Sequence, residues 1–170
     1  GGGPLAPVWD HWNDASCTVT EVGGALTFAF ATGVGDSWCG IASYHLFDLS
    51  ESHYTVDASG VPGPSQFVSY MAMTDPTDDT TFIEIQREGG TMYVRQSVAG
   101  VSFDQDSAPY QAGADRYWRI RGAAGRVYFE TSADGASWDP LSDAAARLDL
   151  THPRLVLAAG HYGSGPGRRR

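Results

Sequence analysis

Tyr70, Glu84, Gln86, Tyr93, Arg95, Arg119, Tyr128 and Glu130 combine aromatic rings with planar carboxylate, amide and guanidinium groups. That mixture suits carbohydrate: ring faces pack under the apolar patches of a sugar, and the planar polar groups take its hydroxyls. The competing arrangement is a solvated sheet face on which arginines and glutamates pair across strands, each pair contributing roughly 0.2–1 kcal/mol. A second group, Asp75, Asp78 and Asp79, lies in an acidic loop with the hard oxygen ligands that calcium prefers. Asp104 and Asp106 could join it from a neighbouring turn, although no EF-hand spacing is present and acidic turn residues often bond only their own backbone. Calcium is therefore the one cofactor the sequence admits.

Other chemistries are excluded by composition. All eleven basic residues are arginine, so Schiff-base chemistry and a P-loop are ruled out with lysine. The five histidines have no metal-ligand spacing, and no G-x-S-x-G elbow presents a serine nucleophile. Cys17 and Cys39 cannot build a zinc site alone and form no C-x-x-C pair. Their even count, and a separation that brackets one predicted hairpin, favour a disulfide tying that hairpin to the next strand, as in secreted proteins.

Those side chains must be positioned by strands. Short alternating segments, separated by Gly, Pro, Asp and Ser clusters, predict about ten strands: 18–22, 25–31, 41–47, 54–58, 67–73, 81–87, 92–98, 116–121, 126–132 and 155–160. Gly23-Gly24 and Gly89-Gly90 read as two-residue hairpin turns. The only helix candidate is Ser142–Arg147, where a Ser or Asp cap precedes three alanines. The pattern implies an all-β, two-sheet antiparallel sandwich occupying 1–170 as one domain, with 1–16 and 163–170 as extended terminal segments. Alternation puts Ile83 and Ile85 on the core face with Arg87 at its frayed end, and Glu84, Gln86 and Glu88 on the other. It likewise turns Tyr93, Arg95, Arg119, Arg121, Tyr128 and Glu130 outward, where with Tyr70 they make one surface if their strands share a sheet.

Charge limits the partners. The chain of 170 residues has a net charge of −9, and residues 1–110 hold two arginines against fourteen acids. Such a body repels polyphosphate and anionic lipid, which argues against nucleic acid. Arg168–Arg170 read as a solvated tail. No apolar run approaches the roughly 18 residues of a membrane span, so no membrane insertion is expected.

The stretches Arg116-Tyr117-Trp118-Arg119-Ile120-Arg121, Gly125–Ser132 and Asp134-Gly135-Ala136-Ser137-Trp138 resemble the concanavalin A-like lectin/glucanase jelly rolls (LamG-like) of bacterial or phage extracellular proteins. Phe82–Glu88 with Gly89-Gly90 and Met92–Arg95 resembles the preceding hairpin, and Leu155–Tyr162 the final strand. The likeness extends over most of residues 20–162 and implies a sandwich with one concave face, the usual ligand groove of that group. Laminarinase-like enzymes of the group carry Glu-x-Asp-x-Glu on one strand, whereas Glu84-Ile85-Gln86-Arg87-Glu88 has glutamine in the middle. Retaining hydrolysis needs two carboxyls about 5–5.5 Å apart, and residues i and i+4 of a strand are about 13 Å apart. Trp9, Trp12 and Trp38 lie outside the matched core and are expected to be buried, sealing the sandwich edge near the cysteines. The reading is a non-catalytic module, extracellular or on a cell or virion surface, that binds a glycan or surface polysaccharide and serves adhesion. The alternatives are a structural or decoration subunit packed against copies of itself in a surface assembly, and a laminarinase-like glycoside hydrolase.

Overall fold

A computed structural model describes residues 5, 7–31, 35–60 and 67–162, apart from the side chain of Asp104. The tail 163–170 with its arginines falls outside the described residues. Among the described residues thirteen strands follow one another: β1 (Trp9–Asn13), β2 (Cys17–Val22), β3 (Ala25–Phe30), β4 (Ser37–Ser43), β5 (His53–Asp57), β6 (Phe67–Thr74), β7 (Phe82–Glu88), β8 (Thr91–Val98), β9 (Val101–Pro109), β10 (Tyr117–Ala123), β11 (Arg126–Ser132), β12 (Asp139–Ala145) and β13 (Arg154–His161). All pairings are antiparallel, in a seven-stranded sheet β1-β4-β13-β6-β7-β8-β9, a four-stranded sheet β12-β11-β10-β5 and the two-stranded hairpin β2-β3. None of the described residues forms a helix long and apolar enough to cross a membrane.

Alternation along the strands builds the core. Met71 and Met73 of β6, Ile83 and Ile85 of β7 and Met92 and Val94 of β8 form one buried cluster with Trp118 and Ile120 of β10 and Val127 and Phe129 of β11. Such apolar layers provide most of the driving force, at roughly 25 cal/mol per Å² removed from water. Gln96 of β8 ties the sheets at one end: its amide donates to the Ala145 carbonyl at 2.8 Å and accepts from the Arg147 amide at 2.9 Å.

Several expectations change. Ser142–Arg147 is not a helix; Ser142 and Asp143 pair with Phe129 and Tyr128 in the edge strand β12. A six-residue helix is marginal alone, while the β11 ladder gives this segment backbone partners along one edge and Leu141 packs on the core. Residues 9–13, expected within an extended terminal segment, pair with β4 as an edge strand. Arg87 is not frayed: it is 1% exposed, with its guanidinium 4.9 Å from the Tyr110 ring centroid.

The Cys17–Cys39 disulfide is formed, tying β2 to β4 as expected. Beside it Asp14 links the β1–β2 turn to β4. Its carboxylate accepts from the Ser16 amide at 2.9 Å, the Ser37 hydroxyl at 2.8 Å and the Trp38 amide at 2.7 Å. Bonds from the Ser16 side chain, then from the Trp38 backbone and Ser37, hold the Asp14 carboxyl well below the usual carboxylate range. A depressed native pKa stabilises the fold above the ordinary carboxylate range, and that stabilisation is lost as pH falls through the native value. Asp14→Asn is therefore expected to lower the melting temperature at pH 7, with the gap to wild type closing on acidification in thermal melts. A gap that is constant with pH would contradict this role.

Candidate functional site on the outer face of the large sheet

Cross-strand register sets the outer face of the seven-stranded sheet in rows. One row runs Trp12, Gly40, Ala158, Tyr70, Gln86 and Tyr93 from β1 to β8. The adjacent row runs Asp10, Ala42, Val156, Ala72, Glu84 and Arg95. Small residues floor the centre: Ala42, Ala72 and Val156 form a buried patch with Tyr70 packed against it. Trp12 lies over Gly40, where a Cβ would come within 2.3 Å of its Cζ2 and 2.7 Å of the Ala158 Cβ. Trp38 lies in the same way over Gly160, with 2.3 Å to a Cβ there, and meets Tyr162 edge-on at 5.5 Å. Glycine at both positions lets a large ring rest on the sheet.

Trp12 is 40% exposed and Tyr93 39% exposed. The expectation that the N-terminal tryptophans are buried therefore fails for Trp12, which lies on the edge strand β1; Trp9 and Trp38 are half-buried. Five strand spacings separate Trp12 from Tyr93, about 24 Å.

Glu84 and Arg95 supply charge beside this row. Arg95 Nε donates to Glu84 Oε1 at 2.5 Å, and the guanidinium sits 5.1 Å from the Phe82 ring centroid. Glu84 is 4% exposed. Burial pushes its carboxyl above the usual range, and Arg95 partly offsets that shift. The Tyr70 hydroxyl is pushed up to about 12, by burial first and then by the nearby Glu84 charge. Gln86 Nε2 donates to Glu88 Oε2 at 3.2 Å.

The eight residues expected on one surface occupy two. Tyr70, Glu84, Gln86, Tyr93 and Arg95 share the outer face of the large sheet, whereas Arg119, Tyr128 and Glu130 sit on β10 and β11 of the four-stranded sheet. Both sheets turn their apolar faces to the common core, so their remaining faces point in opposite directions. The second group is satisfied by its own contacts. Glu130 accepts from Arg119 Nε at 2.7 Å and Arg121 Nη2 at 3.2 Å, while Arg121 stacks on Tyr128 at 4.0 Å and Arg119 on Trp138 at 3.9 Å. Burial opposes ionisation of Glu130, but the two arginines outweigh it and hold the carboxyl below its usual value.

The acidic loop closes on itself. Asp75 Oδ1 accepts from the Thr77 amide and hydroxyl at 2.7 Å, and Asp78 accepts from the Thr80 and Thr81 hydroxyls at 2.6 Å. Among the described residues, no three His, Cys, Asp or Glu side chains are gathered to hold a metal ion. The Asp104 side chain, considered with this loop, lies outside the description.

The architecture matches solved structures over nearly the whole chain. The exoplasmic/lumenal domain of VIP36, in its Ca2+/Man2-bound form, has a TM-score of 0.61 and 14% identity over 92% of this chain and 75% of its own. The Bacillus licheniformis β-glucanase has a TM-score of 0.58 and 13% identity over 96% and 83%. The carbohydrate-binding module CBM66 from Bacillus subtilis has 0.55 and 10% over 92% of each chain. The chain has the concanavalin A-like jelly-roll fold. No protein-family model and no curated protein matches the sequence. The resemblance read from the YWRIR and VYFETS stretches thus holds for the fold; within it the sequence singled out Tyr70, Gln86 and Tyr93 of the row and missed Trp12, resting over Gly40, at its other end. Its signal was present in the glycines within β4 and β13, since glycine inside a strand often marks a close approach.

The Glu84–Arg95 pair gives a stability test. Arg95→Ala leaves a buried carboxylate without its cation, and is expected to cost about 2 kcal/mol at pH 7. The loss should shrink as pH falls and Glu84 protonates. Denaturant unfolding at pH 7 and pH 4 checks this; an equal cost at both would contradict it.

Proposed function

We propose that this chain is a non-catalytic glycan-binding module that holds a surface polysaccharide on the outer face of its seven-stranded sheet. The observation that carries the reading is the register row Trp12, Tyr70, Gln86 and Tyr93, with exposed rings at both ends and an amide between them. Ring faces pack on the apolar patches of sugars, and Gln86 and Arg95 offer polar groups for hydroxyls. VIP36 in its Ca2+/Man2-bound form and the carbohydrate-binding module CBM66 have the same fold, which supports the reading. The disulfide fits an oxidising compartment and hence an extracellular or surface location.

Residue chemistry favours binding over hydrolysis. Glu84 is held by Arg95, the middle position of the strand is the amide Gln86, and Glu88 lies at the strand end beside a turn. A structural role in an assembly is the second reading, favoured by the exposed cluster Tyr44, Leu46 and Phe47 next to Val8, whose carbonyl accepts from the Tyr44 amide at 3.0 Å.

A glycan array probed with wild type, Trp12→Ala and Tyr93→Ala tests the proposal. Binding by wild type, weakened roughly tenfold in each variant, is expected. The same signal is expected with calcium and with a chelator, because Asp75 and Asp78 are engaged in their own turns, and no new reducing ends should form from bound polysaccharide. Silence across the array, or binding untouched by both substitutions, would contradict it and favour the assembly role.

A further inference from the structure

An open recess of about 360 Å³ lies at the β7–β8–β9 corner of the same outer face, lined by Asp79, Thr80, Phe82, Arg95, Ser97, Gly100 and Ser102. Phe82, Ser97 and Ser102 stand in register across the three strands, and Arg95 and Tyr93 follow on β8. Tyr93 and Arg95, two residues apart on one face, are about 7 Å apart along the strand, so the recess continues the aromatic row. A β-bulge interrupts the β8–β9 ladder between Val94 and Gln96, at Arg95. The extra residue of the bulge lies on β9, between Phe103 and Asp106, opposite Arg95.

The recess holds one donor fork and one acceptor. Arg95 is fixed through its Nε by Glu84, and the described residues give its two terminal nitrogens no hydrogen-bond acceptor. Asp79 is exposed and accepts no hydrogen bond from the described residues, unlike Asp75 and Asp78 in the same loop. A carboxylate acceptor and a guanidinium donor in the lining of one recess suit two neighbouring hydroxyls on one sugar ring. An anionic sugar would meet Asp79 here and the acidic body of residues 1–110 around it.

We propose that this recess is a subsite for a single uncharged sugar unit, Asp79 accepting from one ring hydroxyl while Arg95 donates to its neighbour. The inference rests on the glycan-binding reading and names its substrate class as neutral rather than uronic or sulfated. Isothermal titration with neutral oligosaccharides of glucose, mannose, galactose and fructose, and with uronic-acid oligosaccharides of equal length, tests it on wild type, Asp79→Ala and Trp12→Ala. The expected result is neutral binding that falls roughly tenfold in Asp79→Ala, with an unchanged melting temperature and with uronic-acid binding no weaker than in wild type. Preference for the uronic-acid series, or neutral binding weakened by Trp12→Ala and left intact by Asp79→Ala, would overturn this subsite alone. Absence of binding to every oligosaccharide would overturn the glycan reading and the subsite with it.

Discussion

Two sheets share a core only by turning their other faces away from each other. Trp118, Ile120, Val127 and Phe129 meet Met71, Met73, Ile83 and Ile85 in one buried cluster. Because the pleat alternates, the residues between them in sequence point outward on opposite sides. Glu84, Gln86, Tyr93 and Arg95 therefore belong to one surface and Arg119, Tyr128 and Glu130 to another. The second set balances its charges internally, through Glu130 and two ring-stacked arginines. The first keeps exposed rings and an arginine whose terminal nitrogens find no acceptor among the described residues, and ligand chemistry is assigned to it.

That surface depends on an edge strand. β1 is a short strand of mostly exposed residues, held to β4 by a single ladder. Asp14 and the Cys17–Cys39 bridge fasten the chain immediately after it, so a local knot of hydrogen bonds and one covalent link fix where Trp12 rests. Gly40 completes the arrangement from below, since any side chain there would occupy the space of the indole. Platform, glycine and anchor lie on three separate segments and work only when β4 has joined them.

How much of this was legible depended on whether the information was local. Arg126–Ser132 was read with its observed limits because Val127, Phe129 and Thr131 alternate cleanly with polar neighbours and glycine precedes them. β9 and β12 were not, since Val101–Pro109 is largely polar and Asp139–Ala145 mixes proline, alanine and aspartate, compositions that mark edges more than strands. Facing was correct strand by strand, including Glu84 against Ile85. Sheet membership was not legible, because it is fixed by pairing between distant segments: β13 inserts between β4 and β6. Arg87 shows the same limit, its burial under Tyr110 depending on a residue two strands away in sequence. Trp12 was hidden because an indole in a polar N-terminal segment carries no local sign of which face it will occupy.

The most direct test of the central claim, that the outer face of the seven-stranded sheet is the ligand surface, is a map of backbone amide chemical shifts by NMR during titration with a bound polysaccharide fragment. The account expects the largest shifts at Trp12, Gly40, Tyr70, Gln86, Tyr93 and Arg95, with the four-stranded sheet unmoved. Shifts centred on Arg119, Tyr128 and Glu130 would contradict it and move the site to the opposite side of the sandwich.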